Sequence, residues 1–236
     1  PFPFDEFSVS KTKFEIRMGK NIFSESGISL DIDQMGARIN GRIGYGRLTP
    51  IAYNIMGPFA PLPMECLHAV HSLRHTLDGS IKIQNRTYDF SGGIGYIEHD
   101  WGKSFPEKYL WLQTNDLAGR EGCLFVSVAK IPLLARSFEG CISIVYLGGK
   151  EYRLATYLGV RVLEADERTV LLKQGGYLLH IEIDQSKAHP LLAPADGEMS
   201  RTIRESSSAA ARIRFYKKRV LLLDAKSTFS SFEYVP

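Results

Sequence analysis

The stretch Gly95-Tyr96-Ile97-Glu98-His99-Asp100-Trp101-Gly102-Lys103-Ser104-Phe105-Pro106, followed by Tyr109-Leu110-Trp111-Leu112-Gln113-Thr114-Asn115, reads as two strands joined by a Gly/Pro turn, a hairpin that holds both tryptophans of the chain. Side chains alternate along a strand. Tyr96, Glu98 and Asp100 therefore take one face of the first strand, and Ile97, His99 and Trp101 the other. On the second strand Tyr109, Trp111, Gln113 and Asn115 share a face, while Leu110 and Leu112 point away. The leucine face is ordinary core. The opposite face mixes aromatic rings with acids and amides, which suits the wall of a ligand cavity. The alternative is a sheet with one solvated face, where exposed carboxylates are the norm.

The same alternation recurs outward from this stretch. Val126 and Val128 alternate with their neighbours, as do Ile142, Ile144 and Tyr146, and further strands are expected over 153–162, 169–173, 177–183, 212–216, 220–223 and 232–235. Gly148-Gly149, Asp166-Glu167, Gly175-Gly176 and the pair Lys217-Lys218 supply turns between them, and loops are expected around Pro58, Pro61 and Pro63 and over 188–197. Many short strands at close, regular spacing predict an all-β chain of antiparallel barrels or sandwiches. The run Ser206 to Ala211 is low in complexity but too short to read as disordered.

A weak internal repeat points to two such units in tandem. One constant offset aligns Asp89 with Asp224, Glu98 with Glu233, Ile94 with Phe229 and Met64 with Met199. The boundary then falls near Pro106 to Lys108, giving 1–107 and 108–236. A first barrel built only from 1–107 would expose strand edges, so strands preceding Pro1 are expected.

Bulk properties narrow the function classes. A net charge of +3 is too small to imply nucleic acid, and Lys217-Lys218-Arg219 between two apolar strands reads as a solvated turn. Cys66, Cys123 and Cys141 lack paired spacing and read as free thiols of a reducing compartment. No apolar run reaches the roughly 20 residues that span a bilayer. The sequence holds no P-loop, no Gly-x-Gly-x-x-Gly, no Cys-x-x-Cys and no Gly-x-Ser-x-Gly, so no cofactor is expected, and hydride transfer, phosphoryl transfer and serine hydrolysis lack support. His68, His71 and His75 would share a face on a helix, but on a strand His68 and His71 point oppositely, and no metal site is expected.

The motif Tyr96-x-Glu98-x-x-Trp101-Gly102-x-x-Phe105-Pro106, then Trp111-x-Gln113-x-Asn115, resembles the signature of the tocopherol cyclase family. Ile22-Phe23-Ser24, Gly27-Ile28-x-Leu30-Asp31-Ile32, Met64-Glu65-Cys66-x-His68 and Met199-x-Arg201-x-Ile203-x-Glu205 resemble it too, so the likeness spans most of the chain. Members of that family usually begin with a further segment carrying a Gly-Trp-Tyr motif, which nothing here matches. The expectation is that this sequence is a C-terminal portion of a longer protein.

The resemblance implies two tandem lipocalin-like barrels, the first incomplete at its N-terminus, that hold hydrophobic ligands. It implies acid-catalysed closure of a prenylated benzoquinol to a chromanol: a proton adds to the trisubstituted alkene of the tail, and a quinol hydroxyl attacks the tertiary cation. That chemistry needs an acid in an apolar cavity, where a carboxyl group retains its proton, and aromatic faces that stabilise a cation. Glu98 and Asp100 are the candidate acids. Tyr96, Trp101 and Trp111 are candidates for the cation path, Gln113 and Asn115 for the quinol oxygens, and Glu65 and His68 for a polar part of the cavity. Carotenoid hydratases, with a related stretch, make alkene hydration a variant of the same idea. The alternatives are a non-catalytic carrier or sensor of a hydrophobic ligand, and a protein whose cavity is filled by its own side chains. The expected partner is a hydrophobic small molecule rather than nucleic acid, in a cytoplasmic protein with peripheral membrane contact and no integral membrane segment.

Overall fold

The computed structural model describes residues 2–133, 136–184 and 188–236. Strands β1 (Phe7–Val9), β2 (Glu15–Met18), β3 (Asn21–Ser24), β4 (Gly27–Gln34), β5 (Ala37–Tyr45), β6 (Cys66–Ile83), β7 (Arg86–Asp89) and β8 (Ile94–Gly102) form one antiparallel sheet, ordered β1 to β7 with β8 paired to β6. Strands β9 (Tyr109–Thr114), β10 (Gly122–Leu133), β11 (Arg136–Leu147), β12 (Lys150–Ala155), β13 (Arg161–Ala165), β14 (Thr169–Gln174), β15 (Tyr177–Asp184), β16 (His189–Ala195), β17 (Glu198–Lys217) and β18 (Val220–Val235) form the second. Its order is β12-β11-β10-β9-β18-β17-β15-β14-β13, with β16 paired to β17. The chain is nearly all-β, as its alternation predicts. No helix among the described residues is long and apolar enough to cross a membrane.

The chain divides into two units, Pro1–Pro50 with His71–Ile97, and Ile51–Val70 with Glu98–Pro236. In the first unit Ile43, Leu73 and Ile81 are buried, and His75 is buried beside Tyr45, bonded through Nδ1 to Ser72 Oγ at 3.0 Å.

In the second unit one hydrophobic core takes Leu110 and Leu112 from β9, Leu124, Val126 and Val128 from β10, Leu154 from β12, Val170 and Leu172 from β14, and Phe215 and Phe232 from β17 and β18. β12 is one end of the strand path and β14 lies next to the other, so a single core touching both requires the sheet to roll upon itself. The small residues of 206–211 lie within β17, where its register against β18 slips between Ser206 and Ala209 and again between Ala209 and Ala211. Such irregularities bend a strand. At the β11–β12 turn, Gly148 and Gly149 both have positive φ, +52° and +80°, which a tight hairpin with primed geometry requires.

Four local expectations change. The separate strands expected over 220–223 and 232–235 are one continuous strand, β18. β8 and β9 do not form a hairpin: β8 pairs with β6, while β9 pairs with β10 and β18. Alternation fixes faces but not partners. The single strand expected over 153–162 is broken by a 3-10 turn, Thr156–Leu158, closed by Gly159 at φ +79°. The loop expected over 188–197 contains β16. Among the described strands β16 pairs only with β17, an edge position where the missing N–H of Pro190 is tolerated.

Candidate functional site

Because Leu124, Val126 and Val128 of β10 enter the core, Phe125, Ser127, Ala129 and Ile131 must face the other way. The same parity turns Tyr109 and Trp111 of β9 outward from that core. Tyr109, Ala129, Ala193 and Ile203 build a small second cluster there, with Phe105, Trp111 and Ile131 packed against it. A cavity of about 160 Å³ lies on this face, lined among others by Met56, Phe59, Phe105, Tyr109, Trp111, Ser127, Ile131 and Phe138. Its polar wall is Cys66 and His68 from β6, Glu98 and Asp100 from β8, and Glu233 from β18. An apolar cavity of about 150 Å³ admits one benzene ring, so this space takes a ring or a short branched segment, and a longer tail must leave it.

Segment 51–70 is held in place by Arg153. Its side chain is 5% exposed and pairs with Glu151 at 2.7 Å. It also donates to Tyr53 O at 2.8 Å, Asn54 O at 3.0 Å and the Tyr157 hydroxyl at 3.1 Å, with its guanidinium 3.6 Å from the Tyr53 ring centroid. These bonds satisfy the carbonyls that lead into the 3-10 turn Gly57–Phe59, from which Met56 and Phe59 reach the cavity.

His68 is the electrostatic centre of the wall. Its ring is buried and stacks on Phe125, with centroids 4.9 Å apart. Nδ1 is hydrogen-bonded to Asp100 Oδ1. Nε2 lies 3.2 Å from Glu98 Oε2, within ion-pair distance but off the hydrogen-bond direction. Burial by itself pushes an imidazole down. Here the Asp100 hydrogen bond and the Glu98 carboxylate outweigh it and raise His68 to about 9. At neutral pH the ring is a cation held between two carboxylates.

A second acidic centre faces the same space. Glu233 Oε2 accepts a hydrogen bond from the Tyr109 hydroxyl at 2.7 Å. Burial, reinforced by Glu205, Glu98 and Asp100, pushes Glu233 up to about 7, against the pull of the Tyr109 bond. Burial and the Glu233 charge hold the Tyr109 phenol well above its ordinary range. Burial, with the Asp100 charge, pushes the Cys66 thiol up to about 12, so it lines the cavity as a neutral group rather than a thiolate nucleophile. Trp111 Nε1 is buried without a hydrogen-bond partner.

Of the residues singled out in the sequence, the cavity brings together Glu98, Asp100, His68 and Trp111. Tyr96 belongs to the first unit, and Trp101 is 45% exposed and stacked on His99. Gln113 donates to Asn115 Oδ1, and Asn115 to Gly122 O, next to the start of β10 and away from the cavity lining. The Glu65 side chain is exposed, while its carbonyl accepts the Lys103 N–H at 2.8 Å. Among the described residues no group of three or more His, Cys, Asp or Glu is placed to hold a metal ion. Glu233 escaped local reading because it arrives from the far end of the chain, through the register that sets it opposite Trp111. The one available signal was the internal offset aligning it with Glu98.

A family model described as tocopherol cyclase-like matches residues 34–234. Among solved structures, kievitone hydratase from Nectria haematococca superposes with a TM-score of 0.55 at 12% identity, over 96% of this chain and 72% of that one. The structure of CghA with Sch210972 does so with a TM-score of 0.54 at 10% identity, over 97% and 73%. At such identities the structural likeness concerns the fold.

Proposed function

The chain belongs to the tocopherol cyclase-like family, and from that premise we propose that it is an enzyme that protonates an isoprenoid alkene, closing a prenylated benzoquinol to a chromanol. The observation that carries the reading is the meeting of the Glu98–His68–Asp100 array with aromatic and aliphatic walls in one ring-sized cavity. A ring-sized space is in keeping with a quinol head, and the unpartnered Trp111 N–H suits a quinol oxygen. Tyr109, Trp111 and Phe105 offer faces that stabilise a tertiary cation without bonding to it. Two carboxylates around one imidazolium leave a net negative charge beside that cation, and such fixed charge is most effective where water is excluded. Glu98 and Asp100 act at the reacting centre, His68 holds them in place, and the isoprenoid tail extends towards a hydrophobic partner such as a membrane surface.

One structural neighbour is named a hydratase. Hydration of an alkene would share the proton-transfer step and differ in the trap, with water in place of the quinol hydroxyl.

Incubating the protein with a prenylated benzoquinol tests the reading. Chromanol should form, and Glu98→Gln and Asp100→Asn should each slow it by about 10²-fold or more. Binding without product, unchanged in both variants, would identify a carrier instead.

A further inference from the structure

The cavity wall carries three carboxyl groups, Glu98, Asp100 and Glu233, but one imidazole. His68 is already committed to Glu98 and Asp100. Among the described residues no lysine, arginine or histidine forms an ion pair with Glu233. The groups that face it are the Tyr109 hydroxyl from β9, Glu205 across the strand on β17, and Glu98 and Asp100 from β8. The Arg201 guanidinium, on the same strand as Glu205, donates to the carbonyls of Pro106 and Glu107. An ionised Glu233 would therefore face three other acids in a half-buried site, with the one imidazolium of the wall already paired to two of them, an arrangement that favours the neutral acid. The strand pairing that sets Glu233 opposite Trp111 places it beside the ring that would meet the quinol.

We propose that Glu233 is the proton donor of the reaction, and that the Glu98–His68–Asp100 array stabilises the cation this proton creates. The assignment rests on the alkene-protonation reading above. Tyr109 donates to Oε2, leaving Oε1 to carry the proton. In the step, the O–H bond of Glu233 breaks as the alkene π pair forms a C–H bond at the less substituted carbon. The other alkene carbon becomes a tertiary cation. A lone pair of the quinol hydroxyl forms the C–O bond, and the hydroxyl proton passes to the Glu233 carboxylate, restoring the acid. No oxidant or reductant is consumed. Burial pushes Glu233 up to about 7, so the acid form is available at neutral pH.

Infrared titration of the whole protein, paired with turnover, tests this. The wild type should show a protonated-carboxyl C=O band that titrates near neutral pH. Glu233→Gln should abolish that band and slow chromanol formation by about 10²-fold or more, with quinol affinity retained. Tyr109→Phe should move the titration to higher pH, because it removes a bond that favours the charged form. A wild type without the band, a band that survives in Glu233→Gln, or a Glu233→Gln enzyme as fast as wild type would overturn the assignment. If the wild type itself makes no chromanol, the cyclase reading fails and the assignment with it. That result is distinct from a wild type and a Glu233→Gln variant that both turn over.

Discussion

His68 Nδ1 is hydrogen-bonded to Asp100 Oδ1, joining the start of β6 to the end of β8 at the cavity wall. The bond links charge, stability and chemistry, because the same imidazolium also lies 3.2 Å from Glu98.

The pair makes stability pH-dependent. The folded-state pKa of His68, about 9, lies above its ordinary value of 6.5. The folded state thus binds the proton more tightly, and the contribution is fully present below about 6.5 and lost as pH rises through about 9. The wild type should lose on the order of 1–3 kcal/mol of unfolding free energy across that window. Asp100→Asn should flatten the slope, as read from urea midpoints at each pH. Equal slopes in the two proteins would show that the pairing contributes nothing.

Gly102 guards the geometry of this bond. Its φ is +150°, and a Cβ there would lie 2.0 Å from the carbonyl oxygen of Glu65. The residue serves a close approach of β8 to β6 rather than the turn alone. Gly102→Ala should destabilise the protein by about 3 kcal/mol, seen in the denaturant midpoint, and should loosen His68 from Asp100. A variant of wild-type stability would contradict the close approach.

Arg153 should matter more than its distance from the cavity lining suggests. Arg153→Met takes the cation from the Glu151 carboxylate, which is 16% exposed and keeps the Ala52 N–H, and removes a donor from the carbonyls of Tyr53 and Asn54. A loss of about 3 kcal/mol is expected. Ligand affinity should fall in step, because Met56 and Phe59 follow directly in the chain. Calorimetric titration with a prenylated benzoquinol would register an unchanged affinity if that segment were held by other means.

Trp111 separates head-group recognition from apolar packing. Trp111→Phe keeps an aromatic face and removes the unpartnered N–H. Affinity for a prenylated benzoquinol should drop roughly fivefold, about 1 kcal/mol, while affinity for a hydrocarbon isoprenoid should hold. Thermal stability should not fall, since a buried unpaired donor is lost. Equal loss for both ligands would mean that the ring's packing decides binding.

Face assignment was legible in the sequence where alternation is strict. Leu110 and Leu112 enter the core, and Tyr109 and Trp111 face the cavity, as period-2 reading requires. Glu98 and Asp100 share a face for the same reason. Strand partners were not legible, because hydrogen-bond pairing between distant segments leaves no local pattern. Hence the expected β8–β9 hairpin is absent, and Glu233 reaches the site only through the β9–β18 ladder. Trp101 lies on the opposite side of β8 from Asp100, and no bend at Gly102 brings it to the cavity lining.

The most direct measurement is turnover of a prenylated benzoquinol in deuterated water, with the product read by mass spectrometry and NMR. Protonation of the alkene inside the cavity predicts a chromanol with one carbon-bound deuterium, on the ring carbon beside the new C–O bond. Quinol recovered bound, uncyclised and without carbon-bound deuterium would contradict the account.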